Sequence, residues 1–199
     1  MKSLLILVFS FSIFNAFAQQ ENEWKIDMMH SYVGFDVNYM EIIPFHGKFT
    51  QLEGVVLAKE LDFSDMKINA KIPANSIYTG SDKREKHLRS SDFFDMDNHP
   101  YITFKSTEVS KVTDQKEEHL KLVGDLTIRG ITKSIELYGN FNSEPVNDPW
   151  GHIKTGCSFR GTINRQDFEI TYGQVLDSGA LAIDNEVNII LDVVLMRDR

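Results

Sequence analysis

The run Leu120-Lys121-Leu122-Val123-Gly124-Asp125-Leu126-Thr127-Ile128-Arg129-Gly130-Ile131-Thr132-Lys133-Ser134-Ile135-Glu136-Leu137-Tyr138-Gly139-Asn140-Phe141 decides the fold. Leu120, Leu122, Gly124, Leu126 and Ile128 occupy every second position, and Ile135, Leu137, Gly139 and Phe141 resume the alternation after Arg129-Gly130. Period-2 alternation is the mark of a strand with one buried and one wet face, so the segment reads as strand, tight turn, strand. A phosphate-binding loop over Gly124 to Thr132 is the weaker reading, because one glycine at each end is not a glycine-rich cradle.

The same period recurs in both directions. Val33, Phe35, Val37 and Tyr39 alternate with Gly34, Asp36 and Asn38, and Ile68, Ala70 and Ile72 alternate with Lys67, Asn69 and Lys71. Ile102, Phe104 and Ser106 follow, then Cys157, Phe159, Gly161 and Ile163, and last Val187, Ile189, Leu191, Val193 and Leu195. With a strand near Phe49 to Leu57, about eight strands are expected. Helical sequence is scarce, Ser81 to Ser91 being the best candidate, so one or two short helices are expected. Asn147-Asp148-Pro149 before Trp150 reads as a loop. Short connections make the strands antiparallel, and closure into a barrel removes exposed edges. An eight-stranded barrel is either packed solid or holds one small ligand. Long strands, and small residues at the inward positions Gly34 or Gly124, Gly139 and Gly161, favour a cavity.

The first eighteen of 199 residues form a signal-peptide pattern: Lys2, an apolar run from Leu4 to Phe14, and Ala16-Phe17-Ala18 before Gln19. Residues 19–199 are then one exported domain, periplasmic or secreted. No later run is long and apolar enough to span a bilayer as a helix, so stable membrane insertion is not expected. Cleavage removes one cation and no acid, taking the formal charge from −8 to −9. Such an acidic protein is repelled by nucleic acid. Cys157 is the single cysteine, which excludes an intramolecular disulfide and a cysteine-built zinc site.

Catalytic and metal patterns are weak. His30, His87 and His99 with Asp27, Asp92 and Asp95 lack the close histidine spacing of a zinc site, so His30 and His87 read as hydrogen-bonding residues at strand or loop ends. No serine sits in a Gly-x-Ser-x-Gly elbow, and Cys157 lies in an apolar alternation where thiols serve as packing. Neither a catalytic residue nor a metal ligand is assigned. Arg84, His87 and Arg89, beside Phe93 and Phe94, form either a rim for a polar head group or an ion-pair cluster with Asp82, Glu85 and Asp92. Phe35, Phe49, Phe104, Phe141 and Phe159 are either solid core or cavity lining.

Several stretches together resemble the YceI-like polyisoprenoid-binding proteins. They are Asp27-x-x-His30-Ser31 with Val33-Gly34-Phe35; Gly47-Lys48-Phe49; Thr79 leading to Arg84-x-x-His87-Leu88-Arg89-Ser90; and Asp92-Phe93-Phe94-Asp95. His99-Pro100-Tyr101-Ile102-Thr103-Phe104-x-Ser106, the stretch Gly124 to Lys133, and Asn164-Arg165-x-Asp167-Phe168 complete the set. The resemblance implies an extended, lipocalin-like eight-stranded antiparallel barrel whose lumen holds an isoprenoid or similar long-chain lipid, with no other cofactor. The candidate lining is then Phe35, Val37, Tyr39, Phe49, Ile72, Phe93, Phe94, Phe104, Leu122, Leu126, Leu137, Phe141, Phe159, Ile163 and Leu191, with Asn38, Arg84, His87 and Arg89 as head-group candidates. Glu85 stands where the family usually has Asp, Glu169 where Gly is usual, and Asn38-Tyr39 where a Lys-His pair is common. The neutral pair suits a quinone, alcohol or amide head better than a diphosphate. The implied role is a periplasmic carrier or scavenger. Its rivals are a lipid-modifying enzyme and a packed structural barrel. The sequence leaves the oligomeric state open, a homodimer included.

Overall fold

The computed structural model describes residues 21–114, 117–179 and 181–199. The signal-peptide pattern lies outside these residues. Twelve strands appear in chain order: β1 (Asn22–Ile26), β2 (Tyr32–Tyr39), β3 (Ile43–Phe49), β4 (Glu53–Ala58), β5 (Lys67–Pro73), β6 (Ile77–Tyr78), β7 (Tyr101–Asp114), β8 (Glu117–Ile128), β9 (Ile131–Phe141), β10 (Val146–Asn147), β11 (His152–Asn164) and β12 (Ile183–Asp198). Helix α1 (Asp82–Arg89) is the one α-helix among them, and three single 3-10 turns complete the set.

These strands fill eight positions around a closed antiparallel barrel. β1 and β2 share one position, interrupted by a 3-10 turn at Met28–His30. β3 and β4 share the next, because β2 pairs β3 and β1 pairs β4. β5 and β6 share a third, pairing β4 and β3. β7, β8, β9, β11 and β12 supply the rest, and β10 is a short appendage on β11. β12 closes the ring, pairing β11 along its length on one side and both β1 and β2 on the other. The single strand expected over Phe49 to Leu57 is therefore two, β3 and β4, split where the chain passes between pairing partners.

Local chemistry sets the register. Arg129 and Gly130 both have positive φ, 53° and 74°, so the β8–β9 turn is a two-residue one whose twist matches the flanking strands. Ile128 pairs Ile131 across it. β7 slips register against β8 between Ser106 and Glu108, a bulge that brings Val109 opposite Leu122. Beside the bulge, the backbone N–H of Ile68 donates to the Ser106 hydroxyl at 2.8 Å, satisfying a donor where the β5–β7 ladder ends.

One end of the barrel is plugged. Phe63 is fully buried, stacks on Phe141 with ring centroids 3.9 Å apart, and lies 5.2 Å from the Trp24 ring. At the other end the β2–β3 hairpin, α1 and the segment after Asn164 surround an opening.

Candidate binding cavity

A cavity of about 610 Å³ runs along the barrel interior from Leu195, Val56 and Cys157 near the plug to Tyr39, Phe45, Arg84 and Ile183 at the opening. That is the size of a small-molecule site. Phe35, Val37 and Tyr39 border it from β2, Phe49 from β3, Ile72 from β5 and Phe104 from β7. Leu122 and Leu126 reach it from β8, Leu137 and Phe141 from β9, Phe159 and Ile163 from β11, and Leu191 from β12. Phe93 and Phe94 border it from the loop after α1.

The glycines do not create this space as the sequence suggested. An added Cβ at Gly124 would lie 2.3 Å from the Phe104 ring, at Gly161 2.6 Å from Leu137 Cδ2, and at Gly139 1.9 Å from the Ser158 carbonyl oxygen and 2.8 Å from the Phe159 ring. Gly47 does the same for Phe35, its cross-strand partner. Each glycine is a seat for a neighbouring side chain that leans over it. Gly34 does border the cavity, and an added Cβ there would lie 2.5 Å from the Tyr32 ring.

The four head-group candidates separate. Asn38 and Arg84 border the opening, whereas His87 and Arg89 do not. His87 Nε2 hydrogen-bonds Asp92 at 2.8 Å, and its ring meets Phe93 and Tyr172 edge-on. Arg89 donates to the Ile77 carbonyl at 3.1 Å and lies 3.6 Å from Glu85, tying α1 to β6. The helix turns these two away because only the face carrying Arg84 and Leu88 meets the lumen. At the opening, Arg84 lies 4.1 Å over the Phe45 ring and donates to the Thr79 hydroxyl at 3.2 Å. The Asn38 amide donates to Asp184 at 3.4 Å. Glu85 reaches back to accept the Thr79 N–H at 2.7 Å, and this bond lowers its pKa.

Sequence reasoning missed Arg165 as a lining residue. It is 5% exposed, borders the cavity, and donates to the carbonyls of Asp184 (2.9 Å), Ile170 (2.8 Å), Tyr172 and Ile183. Desolvation lowers its pKa. Its guanidinium replaces a missing sheet ladder, holding the irregular segment after Phe168 against the rim. Phe168, Ile170, Met66, Leu52 and Leu88 also border the cavity from outside any alternating run. Phe168 and Leu88 stood in the quoted motifs and Leu52 within the strand expected near Phe49 to Leu57, but nothing signalled Met66 or Ile170.

The histidine and aspartate candidates form separate pairs: His30 with Asp27 at 2.8 Å, His87 with Asp92, and His99 with Asp95 at 4.0 Å. No group of three or more metal-ligating side chains occurs among the described residues. Burial pushes the Cys157 thiol up to about 12.

The YceI-like domain family matches residues 24–195, nearly the whole barrel. The chain belongs to the YceI-like family. Protein YceI of Shigella flexneri is 34% identical over 171 residues, covering 85% of this chain and 87% of its own. Among solved structures, Burkholderia cenocepacia BcnA superposes with a TM-score of 0.69 at 20% identity, covering 85% of this chain and 98% of that one. A polyisoprenoid-binding domain from Saccharophagus degradans gives 0.58 at 14% identity, covering 86% and 97%. At these identities the two structures establish the shared YceI-like barrel. Glu169 has φ 56° and ψ 25°, a left-handed conformation that glycine adopts without steric cost.

Proposed function

We propose that this YceI-like protein is a carrier or scavenger that holds one long apolar lipid, of isoprenoid kind, in its barrel lumen. The observation that carries the reading is the lumen itself: about 610 Å³, plugged at one end, open at the other and walled almost entirely by aliphatic and aromatic side chains. Burying about ten methylene equivalents at about 0.8 kcal/mol each supplies roughly 8 kcal/mol before the cost of ordering the chain, so binding needs no chemistry. The description of the Saccharophagus degradans neighbour as polyisoprenoid-binding supports the ligand class. With residues 1–18 read as a signal peptide, the carrier works in the periplasm or outside the cell. It is not an enzyme on this reading. Native mass spectrometry of protein purified without detergent tests the proposal: a lipid-sized adduct that organic extraction removes is expected, and a lumen that neither retains nor takes up lipid overturns it.

The opening favours an uncharged head. The donors of Arg165 are directed at backbone carbonyls, Arg84 is engaged by Thr79 and Phe45, and Asn38 and Tyr39 are uncharged. A diphosphate would have to draw these donors away from their partners, whereas a quinone carbonyl or an alcohol needs only one. Competition between a long-chain quinone and the matching polyprenyl diphosphate decides this. Tighter diphosphate binding that weakens steeply with salt refutes the neutral head.

A further inference from the structure

The tip of the β2–β3 hairpin stands beyond the barrel opening and is apolar where a soluble protein's hairpin tip is ordinarily polar. Ile42 is 77% exposed and Ile43 60% exposed. Tyr39, which borders the cavity, pairs Ile43 across this hairpin and Ile183 on its other side. The Met40 N–H donates to the Ala182 carbonyl at 3.1 Å, and Ala182 in turn donates to the Gln174 carbonyl, which sets the exposed Val175 on the neighbouring loop. An apolar surface is thus continuous from the lumen wall, through Tyr39, to two adjacent loop tips. The tip costs backbone strain as well: Met40 and Glu41 both have positive φ, 53° and 59°. Neither isoleucine belongs to either core cluster.

We propose that this end of the molecule docks on a lipid bilayer, with Ile42 and Ile43 inserted among the acyl chains and the lumen opening set against the membrane. The inference rests on the carrier reading, because a lipid cargo explains why the apolar surface begins inside the barrel: the tail then passes between bilayer and lumen without crossing water. The charges around the opening are mixed. α1 carries Lys83, Arg84 and Lys86 together with Asp82, while Glu41 lies on the hairpin tip, Asp177 on the segment leading into β12 and Asp184 at the start of β12. Docking is therefore driven by apolar insertion, and it extends to uncharged bilayers. A second copy of the chain is the competing occupant, and exposed apolar side chains at the opposite end, Leu61 and Trp150, provide an internal control.

The test is flotation with zwitterionic phosphatidylcholine vesicles, run beside solution binding to the lumen of a fluorescent polyene alcohol of isoprenoid kind, retinol. Wild-type protein and a Leu61→Asp control are expected to float. Ile42→Asp with Ile43→Asp is expected to reduce vesicle binding at least tenfold and leave polyene binding unchanged, since neither side chain borders the lumen. A wild-type protein that binds the polyene but does not float, or a double variant that floats as well as wild type, overturns the docking and leaves the carrier reading standing. Loss of polyene binding in wild type is instead a failure of the carrier reading. Concentration-dependent dimerisation abolished by the double variant, without flotation, assigns the tip to a second copy and overturns the proposal.

Discussion

Leu126→Glu puts a carboxyl group into the lumen wall at a position 8% exposed, opposite Phe104 and beside Phe49 and Ile102. Two costs add. Removing the leucine from its apolar contacts loses about 2 kcal/mol. A glutamate ordinarily titrates near pH 4.3, so holding it neutral in an apolar wall at pH 7 costs about 3.7 kcal/mol. The expected loss at pH 7 is about 5 to 6 kcal/mol, which for a domain of this size lowers Tm by roughly 10 to 20 °C. The sign of the pH dependence is definite. The folded-state pKa is raised, so the penalty is small below about pH 4.3 and grows by about 1.4 kcal/mol per pH unit until the folded-state pKa is reached. At pH 5 the titration cost has fallen to about 1 kcal/mol. Thr127→Glu, one residue on, points outward beside Thr132, loses one hydroxyl contact and costs about 1 kcal/mol at either pH. Thermal melts of both variants at pH 5 and 7 are the assay. Equal shifts for the two variants, or a Leu126→Glu penalty that does not change with pH, would refute a dry, apolar lumen with this register.

Three further outcomes are expected. Glu169→Gly relieves the left-handed backbone at the end of the 3-10 turn and raises stability by about 0.5 to 1 kcal/mol in urea unfolding, whereas Glu169→Ala brings no gain. Gly139→Ala, whose Cβ meets backbone atoms at 1.9 and 2.8 Å, costs about 2 to 3 kcal/mol, while Gly156→Ala, with nothing closer than 3.7 Å, gains about 0.4 to 1 kcal/mol. Asp148 is held down at about 2: burial opposes ionisation, and the N–H groups of His152 and Trp150 overcome it. Its ionised form thus contributes stability that is fully present above about pH 3.8 and lost as the pH falls toward 2, so Asp148→Asn should be less stable than wild type at pH 7 and converge with it near pH 2. Parallel melting curves across that range would count against the carboxylate's role.

Where burial is simple, the sequence was legible. Every strand whose residues alternate strictly lies where the period places it, and the thirteen lining candidates on strands border the cavity because inward-facing positions in a barrel have no other place to go, while Phe93 and Phe94 reach it from the loop after α1. Two features were hidden. Phe63 sits in the polar loop Leu61-Asp62-Phe63-Ser64-Asp65, with no period to mark it, and takes a positive φ to reach the plug. Arg165 is an arginine in an apolar wall, a placement made tolerable only by carbonyls from a segment 5 to 19 residues downstream. Glycine was misread for a physical reason as well. A missing side chain leaves room, but in a sheet the neighbouring strand's ring is close enough to take it.

The role of β12 bears on how the molecule is made. This strand forms the seam with β11, β1 and β2 at once, so no arrangement of the preceding strands is a closed barrel. A folding chain must hold the lumen wall open, apolar face uncovered, until β12 is available to pair. Closure is thus a late, long-range event, and chaperones have the interval before β12 docks in which to keep the chain extended.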